Sequence, residues 1–285
     1  MRGNATEPAS LRTPTIPSIL HQTWSTDRLP EGLKRAVSSW RRLQPAWQYR
    51  FYTDSDNKQL VRSGYEWLAA FYARCSPIQR ADLARYVYMH ASGGLYADID
   101  VELLQRLRPL LQKQRRKGVG VILGQEPLAH AVLIERRERM VCNAVLASTP
   151  GHPFWLALLR HIVANARPHT DPPGSTGPRM LERFFLSWHR QHREDATERV
   201  VVLPPDAFFP TWDPMQTNTL RQKCAKGVSA SLHAARVCAR LRQEGFRPTV
   251  PSDGSAFTNH LWVHTWIPGL SKVDRRQTFR VHQLK

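Results

Sequence analysis

The 285-residue sequence contains no run of 18 or more apolar residues, so nothing in it reads as a membrane-spanning helix. Residues 1–15 lack the apolar stretch of a secretion signal and read as a short polar tail. The Asn4-Ala5-Thr6 sequon within it is therefore expected to stay unmodified. Cysteine is sparse: Cys75, Cys142, Cys224 and Cys238 form no C-x-x-C pair and no Cys/His zinc spacing. Thiols so placed are expected to be buried and free in a reducing compartment, with a disulfide left open. Acidic residues are also few, 23 against 41 Lys and Arg, for a formal net charge of +18. That balance suits nucleic acid, an anionic membrane face or an anionic substrate. Yet 33 of the 41 basic residues are Arg, scattered along the chain and densest at Arg106–Lys117 and Arg136–Arg139, which fits an ordinary solvated surface equally well. No RRM, KH, helix-turn-helix or zinc-finger pattern appears, so no specific nucleic-acid partner is expected. The resulting expectation is a cytoplasmic protein, in peripheral contact with an anionic membrane through its basic residues.

What the sequence does have is a normal core supply, with 41% hydrophobic and 22% charged residues. Ile16–Trp24 reads as a first buried strand, Glu31–Leu43 as a helix with Leu33, Val37 and Trp40 on one face, and Tyr49–Tyr52 as a second strand. A helix is expected over Pro77–Ser92, opened by Pro77 and stopped by Gly93-Gly94. Strands follow at Leu95–Val101, Val119–Leu123 and Val200–Leu203, with helices at Pro153–Ala166, Arg179–His192 and Ser229–Glu244. Such alternation argues for an α/β sheet covered on both faces, in a single domain over residues 16–285. The Pro/Gly-rich stretch Pro168–Pro178 reads as a mobile loop.

The most informative stretch is PIQRADLARYVYMHASGGLYADID, Pro77 to Asp100. Asp82 and Arg85, three apart, share one face of the expected helix. Beyond the two glycines, period-two alternation would put Tyr96, Asp98 and Asp100 on one side of an extended segment. Two carboxylates so close are costly to bury without a cation. A hard divalent metal, Mn2+ or Mg2+, resolves the conflict, since it takes oxygen ligands and shares them with phosphates. A bare D-x-D is a weak signal, but one preceded by this helix and double glycine is strong.

That stretch resembles the signature of glycosyltransferase family 32, the DXD-containing sugar transferases. The resemblance extends over roughly residues 16 to 267, through Ile16–Trp24 (IPSILHQTW), Trp40 with Pro45 and Tyr49, Asn143–Phe154 (NAVLASTPGHPF), Thr176-Gly177-Pro178, Val202-Leu203-Pro204 and His260-Leu261-Trp262. It implies a GT-A-type fold, a Rossmann-like nucleotide-binding sheet with flanking helices and the D-x-D at the end of a strand. It further implies a nucleotide-sugar donor and a glycan or glycolipid acceptor. By the same resemblance Asp82 meets sugar hydroxyls, Arg85 the sugar or diphosphate, and Tyr96 lies beside the donor phosphates. Asp98 contacts the ribose and, indirectly, the metal, Asp100 binds the metal directly, and Trp24 stacks on the base. His260 is the further metal ligand, with His264 as the other choice; Asp100, through the metal, and Arg85 are the catalytic residues, the metal and Arg85 supplying most of the electrostatic stabilisation. Leu261 stands where several family members have a second histidine. Retention of anomeric configuration is implied too, by a front-face route in which the departing phosphate takes the acceptor's proton.

Plainer readings exist for the same residues. Asp82 and Arg85 can be a surface i,i+3 pair, Trp24 and Tyr96 core aromatics, and His260 a satisfied histidine. His21 reads as structural. For the whole chain, the alternatives are a basic nucleic-acid-binding protein and an inactive glycan- or nucleotide-binding relative.

Overall fold

The apolar run Val121-Ile122-Leu123 and the wholly buried segment Val141–Ser148 lie side by side near the middle of a six-stranded sheet. The structure, a computed structural model, describes residues 15–192, 199–225, 231–264 and 274–284. The polar tail, its sequon and the start of the expected Ser229 helix lie outside them.

The strands in chain order are β1 (Ile19–Thr23), β2 (Arg28–Pro30), β3 (Gln48–Tyr52), β4 (Gly94–Ala97), β5 (Val101–Leu103), β6 (Val121–Gln125), β7 (Val141–Ser148), β8 (Val200–Leu203), β9 (Thr258–His260) and β10 (Thr278–Arg280). The main sheet runs β3-β1-β4-β7-β6-β8, and its pairings are parallel except on either side of β7. Two small antiparallel pairs, β10-β2 and β5-β9, flank it. This is a mixed, mostly parallel α/β sheet buried on both faces, as expected for the fold class. Along β4 and β7, Tyr96 and Leu146 face one apolar cluster with Tyr86, Phe154 and Trp155, while Leu95, Ala97, Val145 and Ala147 face another with Trp40, Phe208 and Phe209. Burial on both faces explains why these strands read as continuous apolar runs rather than alternations.

Most expected elements are present, with the helices Lys34–Leu43, Pro77–Ala91, Pro153–Asn165, Pro178–Gln191 and Leu232–Gln243 close to their expected bounds. The glycine stop is real: Gly93 and Gly94 have φ of +60° and +92°, and a Cβ would fall 2.5 Å from the Pro150 nitrogen or 2.6 Å from the Ile19 oxygen.

Three expectations are corrected. The strand expected over Leu95–Val101 ends at Ala97, and Asp98–Asp100 form a turn closed by the Val101 amide on the Asp98 carbonyl at 3.0 Å. Two aspartates suit a turn better than a pleated strand, so alternation does not govern their directions. The Pro168–Pro178 stretch contains a helical turn, Pro172–Ser175, and is tied to the Pro77–Ala91 helix. The Gln79 side chain donates to the Arg167 and Thr170 carbonyls and to Ser175 Oγ (3.2, 3.3 and 2.8 Å), and accepts from the His169 amide at 2.9 Å. Finally, Cys224 and Cys238 form a disulfide, with Cα atoms 5.4 Å apart, whereas Cys75 and Cys142 are buried and free. No helix among the described residues is long and apolar enough to cross a membrane.

Candidate active site

The helix Pro77–Ala91 is fixed at its start by a reciprocal cap: Ser76 Oγ accepts from the Gln79 amide, and Gln79 Oε1 accepts from the Ser76 amide. It is buried along most of its length, so Asp82 and Arg85 are interior residues, 3% and 4% exposed, and no surface pair. Arg85 lies 3.5 Å from Asp82 Oδ1 and 3.0 Å from Asp98 Oδ1, and donates to the Asn143 carbonyl at 2.9 Å. Its guanidinium also sits 4.8 Å from the centre of the Tyr96 ring. Asp82 accepts from Asn143 Nδ2 and Thr176 Oγ1, each at 2.8 Å. Burial still pushes the Asp82 carboxyl above its ordinary pKa, against Arg85, Thr176 and Asn143. Burial opposes the charge on Arg85, but Asp98, Tyr96 and Asp82 outweigh it and raise its pKa.

From the Gly93-Gly94 stop, β4 carries the chain to the D-x-D turn. The Asp98 amide makes the last sheet bond, to the Ala144 carbonyl at 2.8 Å, and Gln22 Nε2 donates to the Asp98 carbonyl at 3.3 Å. The Tyr96 ring is in the core while its hydroxyl donates to Asp98 Oδ1. Asp100 is held from the far end of the chain: the Val263 amide donates to its Oδ2 at 2.9 Å, and His260 Nε2 lies 3.2 Å from its Oδ1. Burial raises the Asp98 pKa against the pull of Arg85. Asp100 is buried too, but the His260 charge and hydrogen bond and the Val263 amide bring it down to about 2. Burial lowers His260, and Asp100 reverses that to a net rise.

His260 ends β9, which pairs with β5 so that Val101 faces it across the ladder. Asp98, Asp100 and His260 thereby bring one ligand atom each within 4.8 Å of the others. Two carboxylates and an imidazole form a donor set that Mn2+ or Mg2+ accepts, and His260 Nδ1 is a buried nitrogen with no hydrogen-bond partner. The segment beyond is aimed with strained backbone: Trp262 and His264 have φ of 52° and 54°, a region non-glycine residues rarely occupy. His264 Nε2 bonds Asp213 Oδ2 at 2.9 Å, so the structure joins His260, not His264, to Asp100.

A cleft of about 770 Å3 opens over these groups. Trp24 stands on its wall, half-buried against the cluster of Leu29, Leu33 and Ile99, with the Arg275 guanidinium 5.9 Å from its ring centre. All the site residues singled out from the sequence line this cleft. Sequence reasoning missed two further lining residues, Asn143 and Glu126, and two residues that hold Asp98 and Asp82 without lining the cleft, Gln22 and Thr176. Gln22 and Thr176 sat inside quoted motifs without a role, and Asn143 opens the NAVLAS block yet holds both Asp82 and Arg85. Glu126, a buried carboxylate 3.0 Å from His130 Nδ1, left no local signal.

Parts of this chain are similar to known proteins. The family model "Glycosyltransferase sugar-binding region containing DXD motif" matches residues 30–117. Inositol phosphoceramide mannosyltransferase 2 of Schizosaccharomyces pombe is 31% identical over 62% of this chain and 48% of its own length. The mannosyl phosphorylinositol ceramide synthase CSH1 of Saccharomyces cerevisiae is 30% identical over 67% and 48%. The chain thus spans about half the length of these relatives. Among solved structures, mouse xyloside xylosyltransferase 1 covers 87% of this chain and 98% of its own at 14% identity and a TM-score of 0.48. The D-x-D turn lies inside the matched region, and the chain is similar there to DXD-containing sugar transferases of the family 32 kind.

Proposed function

We propose that this chain transfers a hexose from a nucleotide-sugar donor to a glycan or lipid acceptor, with a divalent metal and with retention of anomeric configuration. The convergence of Asp98, Asp100 and His260 beside the buried Arg85 is the observation that carries this reading. Those three side chains would hold Mn2+ or Mg2+, which would supply positive charge to a departing diphosphate. The chain's own residues do the rest. Arg85, pinned by Asp82, Asp98 and Asn143, presents a fixed cation that need not reorganise as charge develops on the leaving group. Asp82, whose oxygens accept from Asn143 and Thr176, stands ready to exchange hydrogen bonds with sugar hydroxyls. Trp24 offers its indole face to the base. Acceptor hydroxyl and donor then meet on one face, the departing phosphate oxygen taking the proton.

Mannose is the favoured hexose and a phosphoinositol-containing sphingolipid the favoured acceptor class, since the relatives named above are mannosyltransferases of that kind. The Cys224–Cys238 disulfide favours an oxidising compartment over the cytoplasm expected from composition. To test the function, the purified chain is incubated with GDP-mannose, UDP-galactose, UDP-glucose and UDP-N-acetylglucosamine, with Mn2+ and with chelator. Metal-dependent consumption of one donor and an α-linked product by proton NMR are expected. Consumption of none, or a β-linked product, would count against the reading.

A further inference from the structure

β1, β3, β4 and β6 all point the same way, and the candidate active site lies beyond their C-terminal ends. A separate cavity of about 430 Å3 opens at the other end of the sheet, before β1, β3 and β6 begin. Its floor is apolar, formed by Ile16, Leu43, Leu111 and Val119, and Trp47 flanks it. One wall is the helix Arg108–Arg115, which turns Arg108, Leu111, Gln112 and Arg115 toward the cavity at i, i+3, i+4 and i+7 spacing. Arg106 adds a third guanidinium, and no carboxylate lines the cavity. Arg106, Arg108 and Arg115 are exposed and enter no ion pair among the described residues. Gln44, 8% exposed, lines the same cavity, and its side-chain nitrogen is buried without an acceptor. A buried donor left in that state is costly, and an acceptor entering the cavity would satisfy it.

We propose that this cavity binds an amphiphile with an anionic head, a phosphate monoester on a short hydrocarbon chain. The volume falls within the range of about 300–1,000 Å3 common for small-molecule sites. Arginine forks match phosphate oxygens, the Gln44 amide supplies a further donor, and the apolar floor takes the hydrocarbon. Residues 1–14 carry Arg2 and Arg12 against Glu7, a charge that does not complement the arginines of this cavity. The site is independent of the donor cleft and of the reading given to that cleft.

Calorimetric titration of the full chain with dodecyl phosphate, below its micelle threshold, is the test. One molecule per chain is expected, with dodecanol and inorganic phosphate each at least tenfold weaker. The double variant R108E/R115E should weaken dodecyl phosphate at least tenfold, and Gln44→Leu several-fold, both with unchanged thermal unfolding. Reversal of exposed arginines on other helices, R62E/R190E, should leave binding as it was. Co-sedimentation with phosphatidylcholine vesicles carrying phosphatidic acid separates the two sources of such a head. Sedimentation that R108E/R115E abolishes marks a membrane lipid as ligand, while dodecyl phosphate binding without sedimentation marks a soluble amphiphile. Absence of saturable binding, parity of inorganic phosphate with dodecyl phosphate, or equal weakening by both arginine pairs would overturn the proposal.

Discussion

His21 Nε2 donates to the Gly93 carbonyl at 2.8 Å, joining the first strand to the glycine turn that launches the D-x-D segment. With that nitrogen protonated, Nδ1 is left to accept from the Tyr52 hydroxyl at 3.2 Å, and the ring lies nearly parallel to Tyr52 and Tyr88, which stack on each other. The imidazole is thus fixed in its neutral form inside the fold.

The pH dependence of stability follows. Burial lowers the His21 pKa from 6.5 to about 4, with the Arg50 charge adding and the Gly93 bond opposing. Between those values the unfolded chain binds more protons, so this contribution is full above pH 6.5 and is lost as pH falls toward 4. The gap corresponds to about 3 kcal/mol. In thermal melts between pH 7 and 4, His21→Gln should flatten the fall relative to the wild type. Parallel profiles for the two proteins would show that His21 does not titrate in this way.

Thr176 is the second test, because its hydroxyl is one of two side-chain donors on the buried Asp82 carboxylate. Thr176→Val keeps the shape and removes the donor, at a cost of about 1–3 kcal/mol in urea unfolding. Thr176→Ser should restore most of the loss. If valine and serine destabilise equally, the methyl group and not the hydrogen bond matters there.

Trp24→Ala should weaken donor binding by about 1–2 kcal/mol if the indole stacks on the base. The loss should appear equally with the free nucleoside diphosphate. Lower thermal stability with unchanged nucleotide affinity would assign Trp24 to the Leu29–Ile99 cluster alone.

Reduction of the Cys224–Cys238 bridge, which spans 14 positions, should destabilise the chain by about 3 kcal/mol on a chain-entropy account. The double variant C224S/C238S should lose a similar amount and become insensitive to reductant. Identical melts with and without reductant in the wild type would remove the bridge from the stability of the fold.

How much of this could be read from the residues depends on range. Local signals worked where they were complete: Pro77, Gly93 and Gly94 delimit their helix, and Val200–Leu203 is the strand expected. Val141–Ser148 passed unnoticed as a strand because burial on both faces erases its alternation. The helix Asp54–Gly64 was legible in hindsight from the Thr53–Asp56 capping box. Asp98 and Asp100 were recognised as a pair for an alternation they do not have, since a turn sets their directions. The approach of His260 to Asp100, 160 positions away, came only through family resemblance, and no spacing rule reaches that far. The Gln79 anchor on residues 167–175 and the Cys224–Cys238 bridge are likewise products of tertiary contact.

The central claim is that Asp100 and His260 help hold a metal–diphosphate unit, and titration of GDP or UDP into the chain with and without Mn2+ tests it most directly. The account predicts that one nucleotide binds at least tenfold more tightly with Mn2+, and that Asp100→Asn and His260→Ala each abolish that gain while leaving the fold and metal-free binding unchanged. Nucleotide affinity that ignores Mn2+ in the wild type, or a Mn2+ gain that survives Asp100→Asn, would contradict it.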